Sequence, residues 1–408
     1  MCDCRNSAIR QNSLLGFNRW SARRKKSMVI KYCLTLGVVL AISTSAFAQA
    51  PKSAKDVLQP FVDKHELAGA VALVANKEKI LSVDAVGFSD IAANKAIQPD
   101  AVFWIASQSK GITATAVMML VDEGKISLDD PVEKYLPEFQ GQMVIAEKDD
   151  AHVLLKKPVH PITIREVLSH VSGLPFKSAI EEPTLDGLPL ASAVKSYAMT
   201  PLQTEPGTHY QYSNAGINTS ARIIEVVTGK TYEDFMDERL FRPLGMNDTT
   251  FWPNEEQVSR LAKSYRPDKE KTNLEEFGLG QLRSPLTNRH DRFPMPAGGL
   301  FSTAIDTAIF CQMLLNGGEL NGKRYLSEAA FAELTKKQTP DGVKNGYSLG
   351  FAVGDDWFGH GGAHATNMEI HRGKGIVTIW MVQHGGYPGD GGKAHGEFKN
   401  WAYQRFGK

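Results

Sequence analysis

A serine and a lysine three positions apart, Ser107 and Lys110 in the segment SQSK, can supply a nucleophile and the group that activates it. A serine hydroxyl is a weak nucleophile until a neighbouring base takes its proton. At the start of a helix, residues i and i+3 lie on one face, so the Lys110 side chain can reach the Ser107 hydroxyl. The helix N-terminus also favours negative charge that develops nearby. The spacing therefore makes Ser107 a candidate nucleophile, although a surface serine is the usual interpretation of this pattern on its own.

The same spacing also occurs in SAVK, from Ser192 to Lys195, so spacing alone does not select the nucleophile. Ser107 follows the apolar run VFWIA and opens a run that is apolar nearly all round and ends at Gly124. That pattern predicts a buried helix with a glycine C-cap. Ser192 lies instead in an ordinary amphipathic stretch, ASAVKSYAM, where a surface serine is the usual interpretation. The context favours Ser107.

Two further segments carry polar groups that can complete such a site. Tyr212 and Asn214 form the only Tyr-x-Asn of the chain, and His360 begins His-Gly-Gly. His-x-Gly also occurs at His371 and His384, but two predicted strands and a helix follow His360, which suits a strand inside a sheet. Taken singly, Tyr212 is equally a buried tyrosine with a satisfied hydroxyl and Asn214 a helix cap.

Strands are predicted near both ends of the chain, with helices between them. The apolar runs 68–75 and 80–88 predict a β-hairpin, and GYSLGFAVG, AHATNMEIHR and GIVTIWMVQH predict strands within about 345–385. The region of about 107–340 is mostly helical, with a hairpin around 149–150 and a helix from 215 to about 227. The sequence therefore predicts an α+β fold, in which helices flank an antiparallel sheet built from both chain ends and a mostly helical region is inserted.

The three motifs, in this order, resemble those of the serine β-lactamase-like superfamily. Its members include class C β-lactamases, penicillin-binding D-Ala-D-Ala carboxypeptidases, D-aminopeptidases and the family VIII esterases. The resemblance runs from about Asp56 to Tyr403 and includes TIREVLSHVSGLP (163–175), RLFRPLGMNDTTF (239–251) and PAGGLFSTAIDTAIFCQMLLNGG (296–318). It implies a β-lactamase/transpeptidase-like fold and chemistry through a serine acyl-enzyme.

The resemblance implies a role for each residue of the motifs. Ser107 attacks the substrate carbonyl, Lys110 as a cation holds Tyr212 as phenolate or shares its proton, and Tyr212 serves as general base and then general acid. Only nearby positive charge can bring a tyrosine, with an ordinary pKa of about 10, into range. The implied oxyanion hole is formed by the backbone N–H groups of Ser107 and Ala363. The implied substrate-binding positions are Asn214, His360 and Gly362.

The third motif departs from that of true β-lactamases. Those enzymes carry Lys-Thr-Gly followed by Ser or Thr, which offers a cation and a hydroxyl to a β-lactam carboxylate, whereas this chain has His360-Gly361-Gly362-Ala363. The difference favours an esterase, or a peptidase or amidase acting on D-amino-acid compounds. A class C-type β-lactamase or a peptidoglycan D-Ala-D-Ala carboxypeptidase is the alternative. A non-catalytic binding protein of this fold is disfavoured, because the nucleophile and both proton-handling residues are intact.

Other reactive residues receive structural interpretations. His170 is expected to shape a loop near the cleft, Asp306 to cap the following helix, and Cys311 to be a buried thiol in an apolar helix. His360 and His364 lie four apart in a glycine-rich segment without H-E-x-x-H, so no metal and no cofactor are expected. No Gly-x-Ser-x-Gly is present, which disfavours an α/β-hydrolase.

The N-terminal segment resembles a targeting sequence. Residues 1–48 contain eight Lys or Arg and one Asp, with the basic stretch RRKKSMVIK, an apolar run from Tyr32 to about Ile42, and Ala46 and Ala48 at an A-x-A site. This pattern predicts a signal peptide cleaved after Ala48, with translation starting at Met1 or Met28. An uncleaved anchor is the alternative, but the apolar run is shorter than a bilayer-spanning helix of roughly 20 residues.

The expected mature region, 49–408, is one periplasmic or secreted hydrolase domain without a stable membrane span. It contains 38 basic and 44 acidic residues, a net charge of −6, which does not favour nucleic acid as a partner. Cys311 is its only cysteine, so no internal disulfide is expected. The implied partner is a small ester, amide or cell-wall peptide substrate, and no signal for an oligomeric state is present.

Overall fold

The computed structural model describes residues 52–343 and 346–408, so the predicted signal segment lies outside the described residues. The strands, in chain order, are β1 (Gly69–Asn76), β2 (Ile80–Asp90), β3 (Lys95–Ala96), β4 (Phe103–Trp104), β5 (Val144–Lys148), β6 (Val153–Lys156), β7 (Ser264–Pro267), β8 (Leu274–Phe277), β9 (Phe301–Ser302), β10 (Glu319–Leu320), β11 (Lys323–Arg324), β12 (Ala352–Val353), β13 (Trp357–Gly361), β14 (Asn367–His371) and β15 (Ile376–Met381).

The α-helices, in chain order, are α1 (Ala54–Asp63), α2 (Ser109–Asp122), α3 (Ile164–Leu168), α4 (Leu190–Ala198), α5 (Asn214–Thr228), α6 (Tyr232–Met236), α7 (Arg242–Leu244), α8 (Glu255–Ser259), α9 (Ala304–Leu315), α10 (Glu328–Thr335) and α11 (Ala394–Phe406). Four 3-10 turns and one π turn complete the regular structure: Ala106–Gln108, Val132–Lys134, Pro137–Phe139, Gly391–Lys393 and Asp237–Phe241.

The main sheet has seven strands in the order β12-β13-β14-β15-β1-β2-β3, and every neighbouring pair is antiparallel. Strand β1 from the start of the described chain therefore lies beside β15 from its end, with Val71 opposite Met381. This arrangement confirms the predicted α+β fold with a sheet built from both chain ends. The predicted hairpins β1–β2 and β5–β6 are also present.

Helices cover both faces of this sheet, which explains why β1 is apolar at nearly every position. Its alternate residues point to opposite faces. Val71 and Leu73 join the large core that includes α2, α5 and α9. Ala72 and Val74 join a smaller core with α1 and α11 on the other face. A strand buried on both sides needs an unbroken apolar run, and AGAVALVA provides one.

Helix α2 starts next to the candidate nucleophile and lies within the large core. Twelve of its 14 residues are buried, so it is surrounded by packing partners rather than amphipathic. Gly111 permits this packing, because a Cβ there would lie 2.2 Å from the Phe351 ring. Cys311 on α9 is also fully buried, and its thiol pKa is raised by that burial, which fits the expected structural role.

Two local predictions were wrong. Of GYSLGFAVG, only Ala352 and Val353 form a strand, because Gly350 adopts a φ of +77° and its N–H donates to the Leu168 carbonyl. The cap of α5 is Ser213, whose hydroxyl accepts the N–H of Gly216, so the alternative interpretation of Asn214 as a helix cap is excluded.

The second wrong prediction concerns Asp306. Thr303 caps α9 by accepting the Asp306 N–H, and the Asp306 carboxylate accepts hydrogen bonds from the Asp248 N–H and the Thr249 hydroxyl. The carboxylate therefore ties the preceding loop to the helix rather than capping the helix itself. Burial raises the pKa of Asp306 to about 6.

No helix within the described residues has the length and the apolar composition needed to cross a membrane.

Candidate active site

Ser107 lies in a short turn that leads into helix α2, two residues before the helix begins at Ser109. The preceding residue, Ala106, has a φ of +45°, a conformation that costs a non-glycine residue energy and is found where surrounding contacts enforce it. Those contacts include the Ile105 N–H, which donates to the Leu300 carbonyl at 3.0 Å, and the Ser109 hydroxyl, which donates to the Ala106 carbonyl at 2.6 Å. The turn leaves Ser107 partly exposed between buried neighbours.

Lys110 is fully buried, and its amine lies 3.1 Å from the Ser107 hydroxyl oxygen. The amine also donates to the Ala297 carbonyl at 2.6 Å and lies 4.7 Å from the centre of the Tyr212 ring. Burial lowers the pKa of Lys110 well below its usual range, because the ammonium form loses its hydration. The predicted pair of Ser107 and Lys110 is therefore formed, and its environment favours a neutral amine.

Tyr212 lies immediately before the N-terminus of α5. Ser213, the next residue, fixes this entry, since its hydroxyl donates to the Pro175 carbonyl at 2.6 Å as well as capping the helix. Burial raises the pKa of Tyr212, while its hydrogen bond with Ser107 acts in the opposite direction. The phenol is therefore favoured over the phenolate, and it lies against the same hydroxyl that Lys110 contacts.

The end of strand β13 approaches the nucleophile turn closely enough to require glycine. A Cβ on Gly362 would lie 2.1 Å from the Thr366 hydroxyl oxygen and 2.5 Å from the Ile105 carbonyl oxygen. Ala363 follows on an exposed turn, and within the described part of the chain its N–H donates to no acceptor. Ala363 and Ser107 line the same cavity.

His360 is half-buried on β13, with its ring centre 6.1 Å from that of Tyr212. Its Nδ1 lies 2.6 Å from the Gly361 carbonyl oxygen. Burial first, and then the nearby Lys110, lower the pKa of His360 to about 3, and the bond to Gly361 offsets part of this. The imidazole is therefore neutral near pH 7.

These elements surround a cavity of about 330 Å3. Its lining comprises Trp104, Ala106, Ser107, Phe176, Tyr212, Asn214, Gln281, Met295, Ala297, Gly298, Gly361, Gly362 and Ala363. The structure thus brings Ser107, Tyr212, Asn214, Gly362 and Ala363 to one cavity, with Lys110 buried behind Ser107. His360 does not line the cavity but lies behind Tyr212.

A profile of the family described as Beta-lactamase matches residues 54–397. The chain belongs to the β-lactamase family. It is 31% identical over 305 residues to Penicillin-binding protein 4 of Amycolatopsis lactamdurans, across 71% of this chain and 74% of that one. It is 30% identical over 322 residues to the lovastatin esterase of Penicillium rubens, across 70% of this chain and 77% of that one.

Solved structures show the same fold. EstCE1, a hydrolase with promiscuous acyltransferase activity, matches with a TM-score of 0.72 and 22% identity over 86% of this chain and 97% of that one. At this identity the likeness shows the β-lactamase/transpeptidase-like fold alone. Family membership and the relatives named as esterases and penicillin-binding proteins make this β-lactamase-family chain a serine hydrolase.

In this β-lactamase-family chain, a buried hydrogen-bond network that the sequence did not reveal holds Ala297, whose carbonyl accepts the Lys110 amine. The Ala297 N–H donates to the Asn218 side-chain oxygen at 3.0 Å, and the Asn218 amide donates to the Tyr197 hydroxyl at 3.0 Å. Tyr197 in turn donates to Glu181 at 2.6 Å. The network fixes the Ala297 peptide, whose carbonyl receives the Lys110 amine. Asn218 lies four residues after Asn214 on α5, so both side chains lie on one face of the helix. That spacing was the one sequence feature that could have placed Asn218 near the site.

The alternative motif matches lie elsewhere. Ser192 and Lys195 are exposed on α4. His384 accepts the Ala68 N–H, and His371 lies at the end of β14 outside the cavity lining. Within residues 52–343 and 346–408, no group of three or more His, Cys, Asp or Glu side chains is arranged to hold a metal ion.

Proposed function

We propose that Ser107 is the residue acylated during hydrolysis of a carboxylic ester or amide. The observation that carries the proposal is the distance of 3.1 Å between the Ser107 oxygen and the Lys110 nitrogen at the edge of the cavity. Ser107 is partly exposed there, whereas Ser192 in the competing motif does not line this cavity. The Ser107 and Ala363 N–H groups form the oxyanion hole in this proposal.

Lys110 accepts the Ser107 proton first, because burial favours its neutral amine while Tyr212 is held as a phenol. The Ser107 oxygen bonds to the substrate carbonyl carbon, and the oxygen or nitrogen of the leaving group departs with a proton from Tyr212. Water then attacks the acyl carbon and gives a proton to the Tyr212 phenolate. The bond between the acyl carbon and the Ser107 oxygen breaks, Ser107 regains its proton from the Lys110 ammonium, and the acid leaves. This order gives the base role to Lys110, whereas the resemblance gave it to Tyr212.

A neutral acyl group fits the cavity better than an anionic one. The residues that line it in the described chain include no charged side chain, and Trp104, Phe176 and Met295 give it an apolar surface. The nearest hydroxyl on the strand side, that of Thr366, donates to the Ile105 carbonyl at 3.3 Å. Asn214 and Gln281 remain as neutral hydrogen-bonding groups. These features support esterase or amidase activity.

A β-lactamase or D-Ala-D-Ala carboxypeptidase activity is the second candidate, supported by the relative named Penicillin-binding protein 4. The ratio of kcat/KM for p-nitrophenyl acetate to that for nitrocefin separates the two candidates. The neutral cavity predicts a ratio well above one. A ratio below one would assign the protein to the second candidate.

Export to the periplasm or beyond remains part of the proposal, based on the basic stretch, apolar run and A-x-A site of residues 1–48. N-terminal sequencing of the protein from a bacterial host's periplasmic fraction tests it. The expected first residue is Gln49. An intact N-terminus in the cytoplasmic fraction would contradict export.

Covalent labelling tests the nucleophile directly. A fluorophosphonate should add one adduct to the wild-type protein, and peptide mapping should place it on Ser107. Ser107→Ala should abolish the adduct and turnover, whereas Ser192→Ala, the matched control in the competing motif, should retain both. An adduct on another residue, or turnover by Ser107→Ala at the wild-type rate, would overturn the assignment.

A further inference from the structure

We propose that Tyr347 is a positioning residue of this active site, which fixes His360 through a one-directional chain of hydrogen bonds running from Ser213 to Gly361. The inference deepens the proposed function and rests on it. Tyr347 belongs to none of the motifs that the sequence singled out as catalytic.

The hydroxyl of Tyr347 joins two histidines from different parts of the chain. Its oxygen lies 3.1 Å from Nε2 of His170 and 3.1 Å from Nε2 of His360. Tyr347 is 3% exposed and His170 is fully buried, so water does not compete for these bonds. The ring of Tyr212 packs between the two histidines, with its centre 4.6 Å from that of His170.

The main-chain groups at the two ends determine the position of every proton. The Ser213 N–H can only donate, and it lies 3.2 Å from Nδ1 of His170. His170 therefore carries its proton on Nε2 and donates to the Tyr347 oxygen. At the other end, the Gly361 carbonyl can only accept, so His360 carries its proton on Nδ1. Its bare Nε2 then accepts the hydroxyl proton of Tyr347.

This chain is complete only when both histidines are neutral. If His360 also carried a proton on Nε2, both histidines would present an N–H to the Tyr347 oxygen. The Tyr347 hydroxyl would then have no acceptor for its own proton. The lowered pKa values of both histidines agree with this arrangement. The titratable groups that face His360 are Lys110, His170, Tyr212 and Tyr347, and a cationic His360 would be repelled whenever Lys110 carries the proton that it takes from Ser107.

The two ends of the chain explain how it acts on the site. Ser213 lies between Tyr212 and Asn214 on the helical side, and Gly361 precedes the cavity-lining Gly362 and Ala363 on the strand side. Fixing the His360 ring fixes both the surface behind Tyr212 and the Gly361 carbonyl. Tyr347 therefore sets the separation between the phenol of Tyr212 and the N–H of Ala363 without touching the substrate.

Nitrogen NMR of the wild-type protein tests the chain without any substitution. Two-bond 15N–1H correlations should show His170 protonated on Nε2 and His360 protonated on Nδ1, with neither ring titrating between pH 7 and pH 5. Assignment uses His170→Gln and His360→Gln variants, each of which should remove one ring. A His360 ring protonated on Nε2, or one that titrates near pH 6.5, would overturn the proposal.

A variant then separates positioning from packing. Tyr347→Phe keeps the ring and removes the hydroxyl, so His360 should begin to titrate between pH 5 and pH 7, and kcat should fall by roughly tenfold with KM within about twofold. Tyr325→Phe is the matched control, because its hydroxyl is also mostly buried and donates to one carbonyl, that of Pro243, at 2.7 Å. It should keep the wild-type His360 behaviour and kcat.

The outcomes distinguish the two proposals. If Ser107→Ala is inactive while Tyr347→Phe matches the wild type in kcat and in the His360 titration, the role of Tyr347 is wrong and the nucleophile stands. If the wild-type tautomers are as expected but Ser107→Ala keeps its activity, the hydrogen-bond chain stands and the proposed function fails. Should Tyr347→Phe not fold, the wild-type tautomers still decide.

Discussion

The helical wall of the cavity, formed by the starts of α2 and α5, differs from its strand wall, formed by the end of β13. The helical wall presents Ser107 and Tyr212, with Lys110 behind them, all groups that exchange protons. The strand wall presents the main chain of Gly362 and Ala363, whereas His360 on the same strand is neutral and is not among the residues that line the cavity. In the proposed function, acyl transfer needs both the base of the first wall and the oxyanion donor of the second. The difference leads us to propose that substrate charge is selected on the strand wall, where a cation can be present or absent without altering the nucleophile.

The largest effect is expected from the helical wall, in Lys110→Met. A general base contributes about 10²- to 10⁴-fold, so kcat for an ester should fall by about that factor. The apolar substitute removes a buried amine, so the melting temperature should be unchanged or higher. The measurement is steady-state turnover together with thermal unfolding. Lys195→Met on the exposed face of α4 is the control and should behave as wild type, and a Lys110→Met enzyme with normal kcat would remove Lys110 from the chemistry.

The next effect concerns the strand wall, in Gly362→Ala. The added Cβ would meet Thr366 at 2.1 Å and the Ile105 carbonyl at 2.5 Å, so β13 must move away from the turn that holds Ser107. Overpacking of this kind costs about 1–3 kcal/mol, and kcat should fall by about 10²-fold because the Ala363 N–H is displaced. Gly361→Ala is the control, since its Cβ would have 3.5 Å of space. Equal urea midpoints for the two variants would contradict the close approach.

The same comparison explains how much of the site the sequence predicts. The residues of the helical wall are contiguous with strong local signals, such as the apolar run after Ser107 and the glycine that ends α5, so both their elements and their roles could be proposed. The antiparallel sheet could be predicted too, because its strands are apolar runs separated by turns. The role of Gly362 was implied by the family resemblance, and the short distances that a Cβ would have at this position agree with a close approach of the backbone.

What the sequence could not reveal are contacts between distant segments. Tyr347 was assigned to a strand, although the left-handed Gly350 turns the chain and leaves the Tyr347 hydroxyl facing two histidines. Glycine within an apolar run is compatible with either conformation, and the tertiary hydrogen bond of Gly350 decides it. The strained φ of Ala106 has no sequence signal at all, because alanine is ordinary in any element.

A smaller effect is expected in the pH dependence of stability, again from the strand wall. The pKa of His360 is about 3 in the folded protein and about 6.5 in the unfolded chain, so the unfolded state binds more protons as the pH falls below 6.5. The free energy of unfolding is therefore unaffected by His360 above pH 6.5. It decreases as the pH falls towards 3, by up to about 1.4 kcal/mol per pH unit for this residue.

Urea unfolding at pH 7 and pH 5 measures this effect. His360→Gln should lose less stability between the two pH values than wild type, by about 1–2 kcal/mol. The exposed His152 provides the control, since His152→Gln should keep the wild-type dependence. Lys110 also lowers the free energy of unfolding as the pH falls, because its pKa in the folded protein is below 10.5. Its effect begins below pH 10.5 and that of His360 only below pH 6.5, so the contributions of the two walls can be distinguished by pH. Parallel pH profiles for His360→Gln and wild type would show that the ring is not held neutral by the fold.

The smallest effect sharpens the claim that the strand wall selects substrate charge. Ala363→Ser adds, at the cavity edge, the hydroxyl that β-lactamases carry after Lys-Thr-Gly, while the backbone N–H at this position is retained. One hydrogen bond to a β-lactam carboxylate should raise kcat/KM for nitrocefin by about five- to tenfold, with p-nitrophenyl acetate changed by less than about twofold. Ala365→Ser adds the same hydroxyl in the same turn outside the cavity lining and should leave both rates unchanged. If Ala363→Ser alters the two substrates equally, the hydroxyl acts on the shared acyl transfer, and the preference for neutral substrates must originate in the apolar residues opposite.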